Sequence, residues 1–338
     1  MKKALVFFIS LLLLTKAFSF EVAKYAGEFL STGAGSRALA MGGTYVAMSG
    51  DVTSGYWNPS ALVDLQYPEI AFMHSRRFGG VVNYDYLGMA TPFRSGSSLG
   101  IGVIRLAVDD IPITAIPRPD LPIDALYTDE SGTIIANRPY IEKSVNDAEY
   151  ALYLSYGQKH SESFYYGLNA KFVNKSVGDY SAWGIGFDLA AWFQPLYDLQ
   201  LGINVQDITT TLLAWNTGKR ELISPTVKTG LGYPFSIKRL SSTLYMAADT
   251  DIRFEGRDIA AQAAYGPVSL DFHLGAEWFY KRLFAIRIGT DSGHFTAGAG
   301  ICLPRLDIDY AFLSHDELET THRVSVRVRL EESTFARK

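Results

Sequence analysis

Near the end of the chain the stretch HRVSVRVRL puts Val324, Val326, Val328 and Leu330 on one face of an extended strand. Arg323, Ser325, Arg327 and Arg329 fall on the other. A core strand of a soluble sandwich does not fit this pattern, because an unpaired buried guanidinium is too costly. A strand with lipid on one side and water on the other does fit it. The same alternation recurs upstream: Leu270, Phe272, Leu274 and Trp278 oppose Asp271, His273 and Glu277. Leu306, Ile308, Tyr310 and Phe312 oppose Asp307 and Asp309, and Leu244, Met246, Ala248 and Ile252 oppose Asp249, Asp251 and Arg253.

This period predicts fourteen strands, at about 69–75, 81–92, 97–107, 148–158, 163–175, 183–193, 199–206, 225–234, 242–254, 268–280, 283–290, 294–302, 305–314 and 322–330. Residue alternation alone leaves a sandwich open for most of these segments. The connections favour a barrel: those after even-numbered strands are all short, and every long one comes after an odd-numbered strand. Sorting of this kind suits an all-β, transmembrane antiparallel barrel of about 14 strands with short periplasmic turns and longer extracellular loops. Both chain termini are then expected on the periplasmic side. The longest connection, 109–146, carries Pro112, Pro117, Pro119, Pro122 and Pro139. Extended, poorly hydrogen-bonded backbone at the outer mouth is expected there.

Residues 20–68 lack strict alternation and are rich in small residues, with paired glycines at Gly42 and Gly43. Short helical patches are expected at 36–40 and 59–62, where Asn58 can cap and Pro59 takes the first helical position. This segment reads as a small N-terminal plug or hatch ahead of the barrel at 69–330, which leaves 331–338 as a C-terminal tail. The glycines inside the strands then relieve crowding where plug and wall meet.

The first nineteen residues, with Lys2 and Lys3 before an apolar run and Ala17 and Ser19 before a cut at Phe20, read as a secretory signal peptide. Twenty Tyr, twenty Phe and thirty Gly, with no apolar run long enough for a helical span after the signal, favour an outer-membrane or secreted all-β protein. A net charge of −4 points away from nucleic acid. Cys302 is alone, so no intrachain disulfide forms.

Candidate chemistry is sparse. The histidines at 74, 160, 273, 294, 315 and 322 have no ligand spacing, and Asp249, Asp251 and Glu255 lack the glycine turn of a calcium loop. No metal, cofactor or catalytic group is therefore expected, and the protein reads as a non-enzyme. Tyr84, Tyr86, Trp183, Trp192, Trp278 and Tyr280 suit interfacial girdles, or else the lining of an apolar pocket. Arg287, Arg323, Arg327 and Arg329 come near Asp271, Asp307 and Asp309 if the last strands pair in order. That ladder either braces wall and plug or holds the polar head of an amphiphile, for which an arginine fork is apt.

The stretch GSRALAMGGTYVAMSGDVTSGYWNPSAL resembles the N-terminal signature of the PorV/PorQ-like outer-membrane proteins, within the wider FadL-like group of fatty-acid transporter barrels. The matching pieces are Gly35 to Ala38, Met41-Gly42-Gly43, the acidic turn at Asp51, and Trp57-Asn58-Pro59 with Ser60-Ala61-Leu62 directly after. The resemblance implies a fourteen-stranded barrel with the N-terminal segment inside as a hatch, so that Gly42, Gly43, Trp57, Asn58 and Pro59 form a plug motif. It departs at the end, where Leu330 rather than an aromatic residue closes the last strand.

Together these readings favour passage of hydrophobic or amphipathic small molecules across a bacterial outer membrane. Arg287, Asp307, Asp309, Arg323 and Arg327 are the candidate ligand or plug contacts in the lumen. The expected partners are outer-membrane lipid, the barrel assembly machinery, and either a hydrophobic ligand or an exported protein cargo. The last belongs to the alternative, a PorV-type accessory of a surface protein-secretion system.

Overall fold

Fourteen antiparallel strands close edge to edge into a barrel in a computed structural model that describes residues 21–22, 26–48, 50–257, 260–314, 320–332 and 334–337. The signal-peptide segment and His315 lie outside the described residues. The strands are β1 (Glu69–Arg77), β2 (Val82–Phe93), β3 (Ser97–Ala115), β4 (Tyr140–Ser161), β5 (Phe164–Val177), β6 (Tyr180–Leu196) and β7 (Leu199–Gln206). They continue as β8 (Thr226–Ile237), β9 (Ser242–Arg253), β10 (Val268–Tyr280), β11 (Phe284–Asp291), β12 (His294–Cys302), β13 (Leu306–Leu313) and β14 (Thr321–Arg329). Each pairs with its sequence neighbour, and β14 returns to β1 in the register Glu69↔Arg329, Phe72↔Val326 and Arg76↔His322. Closure leaves no free sheet edge, as a strand protein in lipid requires.

The burial pattern inverts that of a soluble protein. On β11, Ile286 and Ile288 are each 56 % exposed, while Arg287 between them is 2 % exposed. Leu87, Met89, Phe72, Leu274 and Val324 likewise face outward. An apolar outer face around a polar interior is stable where lipid, not water, is outside. No described helix is long and apolar enough to cross a membrane.

The sorting of connections holds. One end of the barrel carries 94–96, 162–163, 197–198, 238–241, 281–283 and 303–305, and the other carries 116–139, 207–225, 254–267 and 314–320 with three tight turns. The expected loose loop at 109–146 is shorter than that. After an irregularity at Asp109 and Asp110, where Asp110 has φ 57°, β3 and β4 resume pairing at Ile111↔Val145 and continue to Ala115↔Tyr140. Ladder pairing thus extends through Pro112. The remainder is ordered by Asn137, fully buried, whose Nδ2 donates to the carbonyls of Arg118, Leu121 and Pro122 at 2.8, 3.0 and 3.2 Å.

The C-terminal tail and the described pair Glu21–Val22 lie at opposite ends of the barrel. Leu330 N donates to Pro68 O and Arg337 N to Gln66 O, which keeps the tail at the short-turn end. Glu21–Val22 instead pairs in parallel with Glu221–Leu222, inside the connection between β7 and β8 at the long-loop end. The chain therefore runs the length of the lumen between residue 26 and residue 65 before the first strand begins. Strand parity counts only the chain from β1 onward, so it carries no information about this traverse.

Candidate functional site

The lumenal segment is built from short pieces that small residues and turns dictate. It holds helices α1 (Ser36–Ala40) and α2 (Ser54–Trp57), then a 3-10 turn over Pro59–Asp64. Both helical patches expected from sequence are present. Asn58 Oδ1 accepts from Ser60 N at 3.1 Å and from Ser60 Oγ at 2.5 Å, with Pro59 in the first turn position. Its Nδ2 spends one bond on the segment, at Val46 O (2.7 Å), and one on the wall, at Ala191 O of β6 (3.1 Å). Trp57 Nε1 donates to Ala34 O at 2.8 Å, and its ring meets Tyr56 edge-on with centroids 4.9 Å apart. Gly42 and Gly43 both have positive φ, 70° and 81°, and a Cβ at Gly42 would run into Thr290 O of β11.

Inward-facing glycines let this backbone lie directly on the wall. A Cβ at Gly202 would meet Val46 O, and one at Gly167 would meet Ser60 N. At these positions glycine serves close approach.

Two linked ion networks tie segment to wall. Arg37 of α1 grips Glu277 of β10 through Nε (2.9 Å) and Nη2 (2.7 Å), and Glu277 also accepts from Arg287 Nε at 2.6 Å. Arg287 Nη1 continues to Asp309 at 2.7 Å. In the second network Asp51 Oδ2 lies 2.7 Å from Arg327 Nη1, and Arg327 also binds Asp307, which Arg329 Nη1 reaches at 2.8 Å. Tyr45 donates its hydroxyl to Asp51, while the Tyr45 and Val46 amides donate to Asp249 at 2.8 and 2.9 Å. Burial disfavours a charged Asp51, but Arg327 and Arg37 outweigh it and hold the carboxyl below its ordinary pKa of 3.8. Burial also raises the Tyr45 phenol well above its ordinary value of 10, so it stays a donor.

Of the predicted lumenal residues, Arg287, Asp307, Asp309 and Arg327 come together and connect to the segment. On the inner face of β14, Arg327 and Arg329 are compensated by carboxylates of the segment and of β13. The expected pairing with Asp271 does not form, since Asp271 binds Arg257. Arg323 stands apart, 2 % exposed and with no carboxylate within 4 Å among the described residues.

Three aromatic assignments need correction. Tyr84, Tyr86 and Trp192 are buried on the inner face, not in a girdle. Their polar atoms reach the segment: Tyr84 Oη donates to Gly33 O (3.0 Å), Tyr86 Oη to Val52 O (3.4 Å) and Trp192 Nε1 to Ala47 O (2.7 Å). Trp183 and Trp278 do face outward. Strand parity decides this, because Tyr84 and Tyr86 share the face of Gly88 and Ala90, whereas Leu87 and Met89 hold the outer one.

A buried Lys171–Asp188–Asp207 cluster escaped the sequence reading. Lys171 Nζ lies 3.1 Å from Asp188 and 2.9 Å from Asp207, and Asn169 links it to the segment through Gly55 O at 3.0 Å. Its alternation with Asn169 and Val173 on β5 was the available signal. Asp249 and Asp251 do not gather around a common point: Asp249 takes backbone amides and Asp251 takes Lys228.

Two cavities flank the segment and share no lining residue. The larger, about 690 Å³, opens at the short-turn end beside Arg37, Arg287, Cys302, Asp307 and Arg329. The other, about 470 Å³, lies at the long-loop end beside Arg77, Lys228, Arg253, Arg257, His273 and Arg323.

No protein-family model matches the chain, and no curated protein matches it in sequence. Solved structures do match. The toluene transporter TbuX of Ralstonia pickettii superposes with a TM-score of 0.58 at 12 % identity, covering 88 % of this chain and 98 % of that one. A FadL homologue of Pseudomonas aeruginosa gives 0.53 at 10 % identity, over 88 % and 98 %. The Pseudomonas putida toluene transporter TodX gives 0.53 at 11 %, over 88 % and 97 %. The chain shares their closed fourteen-stranded fold.

Proposed function

We propose that this protein is a non-enzymatic outer-membrane transporter in which residues 26–65 act as a plug. Hydrophobic or amphipathic small molecules would enter at the long-loop end, taken as extracellular, and the short turns would face the periplasm. The observation that supports this reading is the lumenal segment itself: it lies inside the barrel bound to the wall, with a cavity of several hundred Å³ on either side. A barrel filled in this way is a poor diffusion pore, and passage requires the segment or the wall to move. The fold shared with two toluene transporters supports a small apolar cargo. Lipid contacts around the outer face and assembly by the barrel machinery are part of the same reading.

The signature from Gly35 to Leu62 also supports a place near the PorV/PorQ branch. A secretion accessory carrying exported protein is the weaker reading, because the matching structures include two transporters of a small hydrocarbon. The direct test is uptake of a fluorescent lipophilic probe into liposomes containing the purified full chain. Uptake faster than in empty liposomes, and abolished by cross-linking the segment to the wall, supports transport. Uptake equal to that of empty liposomes overturns it.

A further inference from the structure

The turns at the short-turn end fall into two halves of different charge. Those closing β2–β3, β4–β5 and β6–β7 carry Arg94, Glu162 and Asp198, and Lys159 of β4 binds Glu162 at 2.7 Å, so bases and acids balance there. The turns closing β8–β9, β10–β11 and β12–β13 carry Lys238, Arg239, Lys281, Arg282 and Arg305 and no acid. All five are exposed, and none has a carboxylate within 4 Å among the described residues. Arg305 Nη2 reaches only a backbone oxygen, Glu331 O at 3.3 Å, while the Glu331 carboxylate binds Arg329. Glu332 of the tail offsets one of the five charges at most.

Hydrogen bonds hold the three basic turns side by side. Lys281 N donates to Ser241 O at 2.9 Å, and Cys302 N to Leu283 O at 2.8 Å. Lys281 and Arg282 fill a tight turn with φ 50° and 55°, where Asn-Gly is the less strained pair, so the turn's geometry alone does not account for two long basic side chains. Depth on the wall points to the partner. The last outward row before these turns runs in register through Ile237, Ser242, Tyr280, Phe284, Ile301 and Ile308. Lys238 directly follows Ile237 and Lys281 directly follows Tyr280, so the cations begin about 3.4 Å beyond the surface that faces lipid. Lys281 Nζ lies 5.2 Å from the centre of the Tyr280 ring. Cations one step past an aromatic and aliphatic face stand at headgroup depth.

We infer that these three turns bind the phosphate groups of anionic phospholipids and hold such lipids against the rim from β8 to β13. Unpaired cations attract the headgroup, and the apolar row beside them takes the start of its acyl chains. An acidic soluble protein would answer the charge but not the depth. With the short turns taken as periplasmic, the lipids concerned are those of the inner leaflet. The inference goes beyond transport and stands or falls apart from it, because it needs only the seat of the barrel in a membrane.

The test equilibrates the purified full chain with mixed micelles holding equal amounts of phosphatidylglycerol and phosphatidylcholine with the same acyl chains, and measures the ratio of the lipids that co-purify. The ratio is expected to favour phosphatidylglycerol by about threefold or more and to fall towards one in ~1 M salt, which screens exposed charges. Lys238→Gln, Arg239→Gln, Lys281→Gln, Arg282→Gln and Arg305→Gln together should bring it close to one, whereas Arg94→Gln on the balanced half should leave it unchanged. Arg239→Lys, Arg282→Lys and Arg305→Lys together should retain it, since a point charge suffices. Heat-modifiable gel mobility checks that the glutamine variant remains a folded barrel. Lys281→Asn with Arg282→Gly, which suits the tight turn, is the second variant and should lower the ratio with the barrel intact. A native ratio of one, or an unchanged ratio in both folded variants, overturns the inference. Displacement of the lipid by inorganic phosphate, where sodium chloride of the same ionic strength has no effect, overturns it in favour of a free anion. A ratio of one together with binding of polyglutamate that the glutamine variant loses overturns it in favour of an acidic protein. Probe uptake into liposomes of phosphatidylcholine alone reads transport separately.

Discussion

Asp51 Oδ2 and Arg327 Nη1, 2.7 Å apart and both inside the barrel, join the lumenal segment to the last strand. The bond closes a loop of chain from the start of the barrel to its end, and it does so beside the β1–β14 seam, where Glu69 also lies 3.7 Å from Arg327. Removing Asp51 leaves Arg327 its second partner, Asp307. The penalty for Asp51→Asn is therefore about 2 kcal/mol, less than for a sole partner. Denaturant unfolding in detergent checks the magnitude. Protease sensitivity of residues 26–65 should rise before the barrel itself unfolds.

The same contact predicts a pH dependence. The Asp51 carboxyl titrates below its ordinary value of 3.8 in the folded protein. A group of this kind stabilises fully above its unfolded pKa, and its contribution is lost as pH falls through the folded one. The Asp51–Arg327 contact should therefore hold from neutral pH down to the ordinary aspartate range and weaken only below it. Infrared difference spectra of the native protein against Asp51→Asn that show the Asp51 carboxyl protonating between neutral pH and about pH 5, rather than below the aspartate range, would contradict this assignment.

Tryptophan fluorescence distinguishes the two faces of the wall. Trp278 is 37 % exposed on the outer face, whereas Trp57 of the lumenal segment and Trp192 on the wall facing it are 4 % and 3 % exposed. Brominated lipids should quench a single-tryptophan protein retaining Trp278 and leave those retaining Trp57 or Trp192 nearly unchanged. Strong quenching of Trp192 would return it to the girdle.

Most of the barrel was legible because lipid imposes a strong rule on one face. Ile286-Arg287-Ile288 can be read only one way, and the resulting strand limits lie within a few residues of those observed except where β3 and β4 extend together. The rule fails for side chains that suit both faces. Tyr84, Tyr86 and Trp192 are apolar enough for lipid and polar enough to bond backbone carbonyls, so composition did not orient them. Nor did sequence separation disclose that Arg37 would find Glu277, 240 positions away. The motif glycines and Asn58 marked the segment, but the wall residues that receive it carried no local signature.

Close packing between segment and wall gives a further prediction. A side chain at Gly202 would occupy the position of Val46 O, and one at Gly167 that of Ser60 N. Both neighbours are backbone, which yields less readily than a rotamer. Gly202→Val and Gly167→Val should each destabilise by about 1 to 3 kcal/mol. Ile203→Val, on the outer face beside Gly202, should be close to neutral and serves as control.

Orientation can be read from two engineered thiols in a Cys302→Ser background. Thr217 lies exposed in the connection between β7 and β8, and Arg305 lies exposed in the turn between β12 and β13, at opposite ends of the barrel. The long-loop end is placed outside because outer-membrane barrels carry their longer connections there. A polyethylene-glycol maleimide too large for general porins should label Thr217→Cys on intact cells. Arg305→Cys should react only after the outer membrane is permeabilised. The opposite pattern would invert the barrel, and the cavity at the long-loop end would then face the periplasm instead of the entry mouth.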